Sequence, residues 1–271
     1  MLTLCFLLCG KFEMRCVWER WLTDAKSANV VVFHSNASEE EQRDVVRFCT
    51  VVKGTLLETF PTAWCTLSLL IAELKLYDMC VQMNFQSAHM WLVSEKTLPL
   101  LSYDQLLPML PLPHVSLLQR FPNPFLPINV LKMLTSKFKI PVAQASNQFK
   151  LLSLKSWINI REFTWNIVNS LKDMNVAWNL HCEKGDGLPP EEWVIATTLK
   201  YKNMTIVNKP TTYARFGDEG YLLRAEVLSL EYLSEYLTTV NKQCTCFCFS
   251  MRKFVEDDRI THLLIRKGIL S

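Results

Sequence analysis

Residues 29–48 read NVVVFHSNASEEEQRDVVRF, and this stretch decides the fold class. The β-branched run over residues 29–34 is typical of a strand. Ser38 followed three residues later by Glu41 is a capping box, which begins a helix with acidic residues in its first turn. A strand, a short turn and a helix in this order open an α/β unit. We therefore predict an α/β fold with a strand end beside a helix N terminus.

The rest of the N-terminal part extends this pattern. Pro61 is typical of a first helical turn, and residues 62–78 after it are apolar around most of a helical circumference, which predicts a buried helix. Short apolar runs predict further strands, over residues 50–56, 80–85 and 89–93. We predict that residues 1–97 form one α/β domain with a short sheet.

Prolines then interrupt the chain. Seven of the 12 prolines fall between Pro99 and Pro127, where each removes a backbone donor and prevents a long regular element. Leucine and phenylalanine are frequent in the same segment, which predicts packing rather than disorder. We predict that residues 98–127 are a proline-rich packed crossover between two halves.

Residues 128–271 are predicted to form an α+β domain with mostly antiparallel strands. Helical periodicity, proline near a first turn and Gly268 as a C-cap predict its helices, and β-branched runs between turn-forming stretches predict its strands. The predicted helices cover residues 127–139, 158–175, 229–240 and 257–267. The predicted strands cover residues 176–182, 193–202, 204–209 and 211–216. The fold class is therefore mixed α/β.

Three of the ten cysteines, Cys244, Cys246 and Cys248, stand two residues apart. In a strand their thiols would lie on one face roughly 6 to 7 Å apart, which is too far for one tetrahedral zinc ion with Zn–S bonds of about 2.3 Å. No CxxC or HxxxH pattern occurs in the chain. We predict a buried strand here, with no metal and no cofactor.

The distribution of cysteines also bears on the compartment. They are spread through predicted core segments rather than at framework spacing, which favours a reducing compartment, cytoplasmic or nuclear. The apolar N-terminal run MLTLCFLLCGKF lacks the basic segment and the small-x-small cleavage pattern of a signal peptide. Two sequons, Asn36-Ala37-Ser38 and Asn203-Met204-Thr205, would matter only in a secreted protein. We predict a protein that is neither secreted nor inserted in a membrane.

Charge is nearly balanced, with 29 lysines and arginines against 26 aspartates and glutamates. No run of five basic residues occurs, so no electrostatic footprint for nucleic acid is visible. Charged residues make up 20% of the chain, against about 25% in soluble domains. A partner subunit, the remainder of a longer chain or a large single core would each explain this thin charged surface.

Signatures of common enzymes are absent from the sequence. None of the seven glycines stands in GxGxxG or GxxxxGK[ST] spacing after a strand, which excludes dinucleotide cradles and P-loops. GxSxG and HExxH are also missing. His181-Cys182 fails as a nucleophile–base pair because neighbouring residues on a strand point to opposite faces. Three acidic residues are predicted to lie in a solvated loop, namely Asp186, Glu191 and Glu192.

The candidate site for a ligand or partner is the strand end formed by His34, Ser35, Asn36 and Ser38. An enzyme centred there would need a second titratable group from a later segment, such as Asp78 or Asp104. The spacing resembles the DxSxS metal motif of von Willebrand factor A domains at Ser38, with His34 where the aspartate stands. That resemblance implies a metal-free domain used for protein contacts.

A nucleic-acid-binding surface would require basic residues from several segments to converge on one face. They are Lys150, Lys155, Arg161, Lys200, Lys202 and Lys209. Alternation along the predicted strand places Lys200 and Lys202 on the same side. The sequence favours a non-catalytic protein-interaction or scaffold subunit of an intracellular complex, with no catalytic residue assigned. The alternatives are an enzyme with a site around His34 and a nucleic-acid-associated factor.

Overall fold

The computed structural model describes residues 1–25, 27–121, 126–174, 176–184, 187–214, 228–243, 250–252, 254 and 257–271, and within them the fold is mixed α/β, as predicted. The α-helices described are α1 (Arg15–Asp24), α2 (Glu39–Val52), α3 (Leu67–Gln82), α4 (Tyr103–Leu106), α5 (Ile128–Phe138), α6 (Leu154–Asp173), α7 (Trp178–Lys184), α8 (Val194–Tyr201), α9 (Leu230–Gln243) and α10 (Asp258–Arg266). The strands described are β1 (Leu2–Cys9), β2 (Asn29–Ser35), β3 (Thr55–Leu56), β4 (His89–Ser94), β5 (Thr97–Pro99), β6 (Ser116–Phe121), β7 (Ala145–Ser153), β8 (Ile206–Asn208), β9 (Thr212–Ala214) and β10 (Ser250–Arg252). None of the described helices combines the length and apolarity needed to cross a membrane.

The chain forms two compact units. Unit 1 consists of Met1–Thr59, Trp91–Leu110 and Thr211–Ser271. Unit 2 consists of Phe60–Met90 and Pro111–Pro210. Neither unit is one continuous stretch of sequence, because the chain leaves unit 1 twice and returns to it twice.

Unit 1 contains three parallel strands in the order β3-β2-β1. β1 pairs with β2 from Thr3 opposite Asn29 to Cys9 opposite Ser35. Every residue from Leu2 to Leu8 is buried, because a parallel strand inside an α/β fold is covered on both faces. The apolar N-terminal run is therefore a core strand. β3 is shorter than the predicted strand over residues 50–56, because α2 continues through the first part of that stretch.

The capping box at the start of α2 is confirmed. Ser38 Oγ accepts a hydrogen bond from the Glu41 N–H at 3.3 Å, and Glu41 Oε2 accepts one from the Ser38 N–H at 2.7 Å. These two bonds satisfy backbone donors that the first helical turn leaves without partners. The strand, the turn and the capped helix predicted from residues 29–48 are thus all present.

Aromatic side chains hold the core of unit 1 together. Phe6 on β1 lies edge-to-face with Trp18 on α1 at 5.3 Å and with Phe48 on α2 at 5.4 Å between ring centroids. The indole Nε1 of Trp18 donates to the carbonyl oxygen of Thr97 at 2.7 Å. Each such aromatic pair contributes about 0.5–1.5 kcal/mol beyond area burial. β1, both helices and β5 are therefore fixed around one cluster.

A small second sheet in unit 1 has the order β5-β10-β9. Met251 on β10 lies opposite Leu98 on the antiparallel β5 and opposite Tyr213 on the parallel β9. The cysteine strand predicted at Cys244, Cys246 and Cys248 lies outside the described residues, so its prediction stays a prediction.

Unit 2 contains strands in the order β7-β6-β8. Leu117 on β6 lies opposite Leu151 on the antiparallel β7 and opposite Val207 on the parallel β8. β6 occupies the proline-rich segment between residues 98 and 127, in a stretch that contains no proline itself. The predicted helix over residues 127–139 is confirmed as α5, and the one over residues 158–175 as α6.

Three predicted strands of the unit 2 sequence are wrong. Residues 80–82 end α3, residues 178–182 belong to α7, and α8 replaces the strand predicted over residues 193–202. Residues 194–199 of α8 are all buried, so no polar face reveals the helical period and the β-branched residues suggest a strand. In α7 the two buried residues Trp178 and Cys182 stand four apart, which is the helical spacing.

Cys65 and Cys182 form a disulfide bond within unit 2, with 6.4 Å between their Cα atoms. The bond joins the segment before α3 to α7 across 117 residues of sequence. The expectation that the cysteines stay reduced is therefore wrong for this pair. Cys5, Cys9, Cys16, Cys49 and Cys80 are not joined in disulfide bonds.

Candidate functional site

The carboxyl ends of β1 and β2 lie side by side in unit 1. Cys9 and Ser35 are paired at the ends of the two strands, and the Gly10 N–H donates to the Ser35 carbonyl oxygen at 3.1 Å. Gly10 has a φ of 66°, a left-handed conformation that glycine adopts without strain. This glycine lets the chain turn away directly after β1 and leaves the strand ends open beside the start of α2.

His34 is buried at this strand end. Its side chain is 5% exposed, and Nε2 lies 2.7 Å from the carbonyl oxygen of Gly10. Because a carbonyl oxygen only accepts hydrogen bonds, His34 Nε2 carries the proton and donates it. The imidazole therefore holds the turn after β1 in place.

The other predicted site residues surround this turn. Ser35 is buried and its hydroxyl donates to the Leu8 carbonyl oxygen at 3.4 Å, whereas Asn36 is exposed, with Nδ2 3.6 Å from Cys9 Sγ. The φ of Asn36 is 52°, a conformation that asparagine tolerates better than most residues. Ser38 is exposed and its hydroxyl caps α2, so in this structure it serves the helix. The four predicted residues are thus brought together around one strand end.

Glu41 contributes an acidic group to the same place. The hydrogen bond from the Ser38 backbone N–H holds the pKa of the Glu41 carboxyl below its usual value, and the nearby His34 and Lys11 act in the same direction. Glu41 therefore stays ionised at neutral pH and adds a fixed negative charge at the helix start.

β4 lies next to β1 on the side away from β2. Residues 91–94 of β4 belong to unit 1, and the carbonyl of Glu95 just after them accepts a hydrogen bond from the Met14 N–H at 3.0 Å. The strand order therefore runs from β1 outward through β2 to β3, and then resumes at β4 on the opposite side of β1. This reversal is the topological switch point at which open α/β sheets bind ligands.

Unit 2 contains a buried charged cluster that the sequence does not predict. Lys150 Nζ donates to Glu73 Oε1 at 2.8 Å and to the Glu191 carbonyl oxygen at 3.1 Å, while Tyr77 Oη donates to Glu73 Oε1 at 2.9 Å. Glu73 and Lys150 are fully buried, and Glu191 is 2% exposed. No spacing in the sequence could have paired them, because Lys150 stands 77 residues from Glu73.

Burial changes the acidity of the two carboxyl groups in this cluster. Desolvation raises the pKa of Glu73 despite the opposing charge of Lys150. Desolvation also raises the pKa of Glu191 to about 8. The prediction that Glu191 lies in a solvated loop is wrong, because it occupies a buried 3-10 turn over Pro190–Glu192. Glu192 is half-buried, and Asp186 lies outside the described residues.

Asp78 and Asp104, the acidic residues predicted as second groups of an enzyme site at His34, have other contacts or surroundings. Asp78 accepts hydrogen bonds from the indoles of Trp157 at 3.2 Å and Trp165 at 2.9 Å, and its Oδ1 lies 2.7 Å from Arg161 Nε. These bonds tie α3 to α6 within unit 2. Asp104 lies exposed in the first turn of α4 in unit 1.

The lysines of the nucleic-acid hypothesis have separate surroundings. Lys200 lies at the end of α8, with Nζ 3.4 Å from Gln144 Oε1, whereas the Lys202 ammonium lies 4.3 Å from the centre of the Phe163 ring. Residues two apart on a helix do not share a face, so the predicted alignment of these two lysines is wrong. Lys209 follows β8, and Lys150 is buried in the charged cluster.

His181 and Cys182 lie on α7, and the disulfide to Cys65 leaves Cys182 without a thiol for nucleophilic attack. In the part of the chain that the structure describes, no group of three or more histidine, cysteine, aspartate or glutamate side chains is placed to hold a metal ion. No protein-family model and no curated protein matches this chain.

Proposed function

We propose that unit 1 binds a small polar ligand at the carboxyl ends of β1 and β2. The observation that carries the proposal is the reversal of strand order at β1, with β2 on one side and β4 on the other. Ligands of open α/β sheets bind outside the strand ends at such a reversal. The location is that of the ligand or partner candidate His34, Ser35, Asn36 and Ser38, at the strand end where one of the alternatives from the sequence placed an enzyme site.

Hydrogen-bond acceptors dominate this strand end, which bears on the chemistry of the ligand. Glu39, Glu40 and Glu41 occupy the first turn of α2, and the capping box already uses the N-terminal backbone donors of Ser38 and Glu41. Negative charge at this helix start disfavours a phosphate, which otherwise binds well at helix N termini. The ligand that fits is a neutral molecule rich in hydroxyl groups, because hydroxyls donate to carboxylates and to amide oxygens.

Asn36 and His34 have different roles in this proposal. The exposed Asn36 amide contacts the ligand, since it offers both a donor and an acceptor at the strand end. His34 positions the Gly10 turn through its 2.7 Å hydrogen bond. A loss of His34 would therefore change the shape of the site rather than remove an acid or base.

The proposal is tested with the full chain and two matched variants. Asn36→Gly removes the amide without strain, because glycine accepts the left-handed φ of 52°. Asn84→Gly is the control, since Asn84 is also exposed, has a φ of 49° and follows α3 in unit 2. Ligand-observed NMR is recorded with a mixture of neutral nucleosides and monosaccharides, and separately with inorganic phosphate.

We expect saturation transfer to at least one neutral hydroxyl-bearing compound in the unsubstituted chain and in Asn84→Gly, with loss of the signal in Asn36→Gly. Phosphate should give no competition. Absence of transfer to every neutral compound, or a signal that Asn36→Gly leaves unchanged, contradicts a ligand site at this strand end.

A protein partner is the second candidate function, as the sequence predicts. Val46 and Val51 on α2 are 52% and 56% exposed, and Leu56 on the neighbouring β3 is 39% exposed. Exposed apolar side chains on a surface helix and on an edge strand favour contact with another chain. In this reading the chain is a scaffold or complex subunit.

Purification of the tagged chain from cells, with nuclease treatment, tests this second candidate. A partner at near-equal molar amount that is lost in Val46→Glu/Val51→Glu supports it, provided that the partner is kept in the control Ile158→Glu, which replaces a 54% exposed apolar residue on α6 of unit 2. Recovery of the chain alone as a monomer contradicts it, and a partner released by nuclease would instead favour a nucleic-acid-associated factor.

A further inference from the structure

The sequon Asn203-Met204-Thr205 lies in the turn between α8 and β8 of unit 2. Asn203 and Thr205 are both exposed. Asn203 has a φ of 53°, and its backbone N–H donates to the Lys200 carbonyl oxygen at 3.1 Å, which fixes the turn. The asparagine side chain therefore stands on a surface turn, where a large polar substituent can be accommodated without disturbing the core.

The disulfide between Cys65 and Cys182 is an independent observation that indicates the compartment in which the chain matures. Stable disulfides form in oxidising environments and are rare where thiols are kept reduced. Sequons are used as acceptors in the secretory compartments of eukaryotic cells, which are also oxidising. The disulfide thus supplies the condition under which the sequon matters, contrary to the expectation of a reducing compartment.

We infer that Asn203 carries an N-linked glycan. In the transfer step a carbon–nitrogen bond forms between Asn203 Nδ2 and the anomeric carbon of a lipid-pyrophosphate-linked oligosaccharide. The bond from that carbon to the pyrophosphate oxygen breaks, the lipid pyrophosphate leaves with the electron pair, and the amide nitrogen loses one proton to solvent. The inference concerns unit 2 and is independent of the ligand site proposed in unit 1.

The other sequon, at Asn36, differs from Asn203 in its surroundings. Asn36 Nδ2 contacts Cys9 Sγ at 3.6 Å, and the hydroxyl of Ser38 is used to cap α2. A glycan on Asn36 would stand at the ends of β1 and β2. Asn203 lies instead at the end of a helix and before the short strand β8, so it is the acceptor that the structure assigns.

The experiment uses the full protein isolated from the cells that make it. Peptide-N-glycosidase treatment in heavy-oxygen water converts a glycosylated asparagine to a labelled aspartate, which peptide mass spectrometry locates. Two matched variants are made in the same cells: Thr205→Ser keeps the sequon, whereas Thr205→Ala destroys it by removing only the hydroxyl. Asn203→Gln removes the acceptor itself.

We expect a labelled aspartate at position 203, the loss of one glycan-sized mass step in Thr205→Ala and Asn203→Gln, and its retention in Thr205→Ser. The same digest should contain the disulfide-linked peptides of Cys65 and Cys182. An unmodified Asn203 in the isolated protein overturns the inference, as does a mass step that Thr205→Ala retains. Recovery of Cys65 and Cys182 as free thiols together with an unmodified Asn203 overturns both the inference and its argument from the compartment.

Discussion

Lys150 Nζ lies 2.8 Å from Glu73 Oε1, and both side chains are completely shielded from solvent. The pair joins β7 to α3 inside unit 2. A buried ion pair is no more stabilising than a well-packed apolar pair, because both charges lose their hydration. Removing one partner is different, since it leaves the other charge buried without compensation.

Replacing Lys150 alone should therefore destabilise the protein strongly. We expect Lys150→Met to lower the free energy of unfolding by about 3–5 kcal/mol. The double variant Lys150→Met/Glu73→Leu should recover most of this loss, because no buried charge then remains unpaired. Urea denaturation at equilibrium measures both. A double variant no more stable than the single one would show that packing, and not the orphaned carboxylate, causes the loss.

Glu191 should make the stability of the protein fall as pH rises. Burial raises its pKa from 4.5 to about 8, so between these values the folded chain keeps a proton that the unfolded chain has released. The stabilisation by this retained proton is fully present below pH 4.5, declines between pH 4.5 and about 8, and is lost above that pH. At about 1.4 kcal/mol per pKa unit, the whole decline amounts to about 4–5 kcal/mol.

Glu191→Gln tests this pH dependence, because glutamine resembles the protonated acid at every pH. We expect the variant to match the unsubstituted protein at about pH 5 and to be more stable than it at about pH 9. Glu192→Gln is the control and should keep the original decline. Parallel stability curves for Glu191→Gln and the unsubstituted protein would show that Glu191 ionises normally in the folded state.

Ser38 should stabilise α2 through its side-chain oxygen. Loss of a serine cap costs about 1 kcal/mol, so Ser38→Ala should lower the free energy of unfolding by that amount. Ser38→Thr retains a hydroxyl that can accept the Glu41 N–H and should lose much less. Thermal denaturation of both variants checks the cap, and equal losses for alanine and threonine would exclude it.

The parts of the fold that the sequence predicted well carry their signal within a few residues. Ser38 and Glu41 are three apart, so the capping box and the start of α2 could be read directly. α5 and α6 have apolar positions at helical spacing with polar residues between them. The sequence of β1 has no alternation of apolar and polar residues, because a strand that is buried on both faces is an unbroken apolar run. The sequence of α8 resembles that of a strand for the same reason, because residues 194–199 are all buried.

The candidate site could be predicted only in part, because its geometry depends on contacts distant in sequence. The strand end at His34 was located from the turn and cap that follow it. Its place at the reversal of strand order required β1 to be recognised as its neighbour. The buried cluster of Glu73, Lys150 and Glu191 lies beyond any local pattern, since each of its members comes from a different element.

The disulfide gives the strongest test of how unit 2 is held together. It closes a loop across 117 residues, and the chain-entropy estimate for a loop of that length is about 5 kcal/mol. We expect a reducing agent to lower the melting temperature of the unsubstituted protein and to leave that of Cys65→Ser/Cys182→Ser unchanged. Cys16→Ser, which replaces an exposed cysteine outside the disulfide, is the control and should respond to reduction as the unsubstituted protein does. If reduction lowers the melting temperatures of the double variant and of the unsubstituted protein equally, the effect does not come from the Cys65–Cys182 bond. If reduction changes neither melting temperature, that bond contributes nothing to the stability of unit 2.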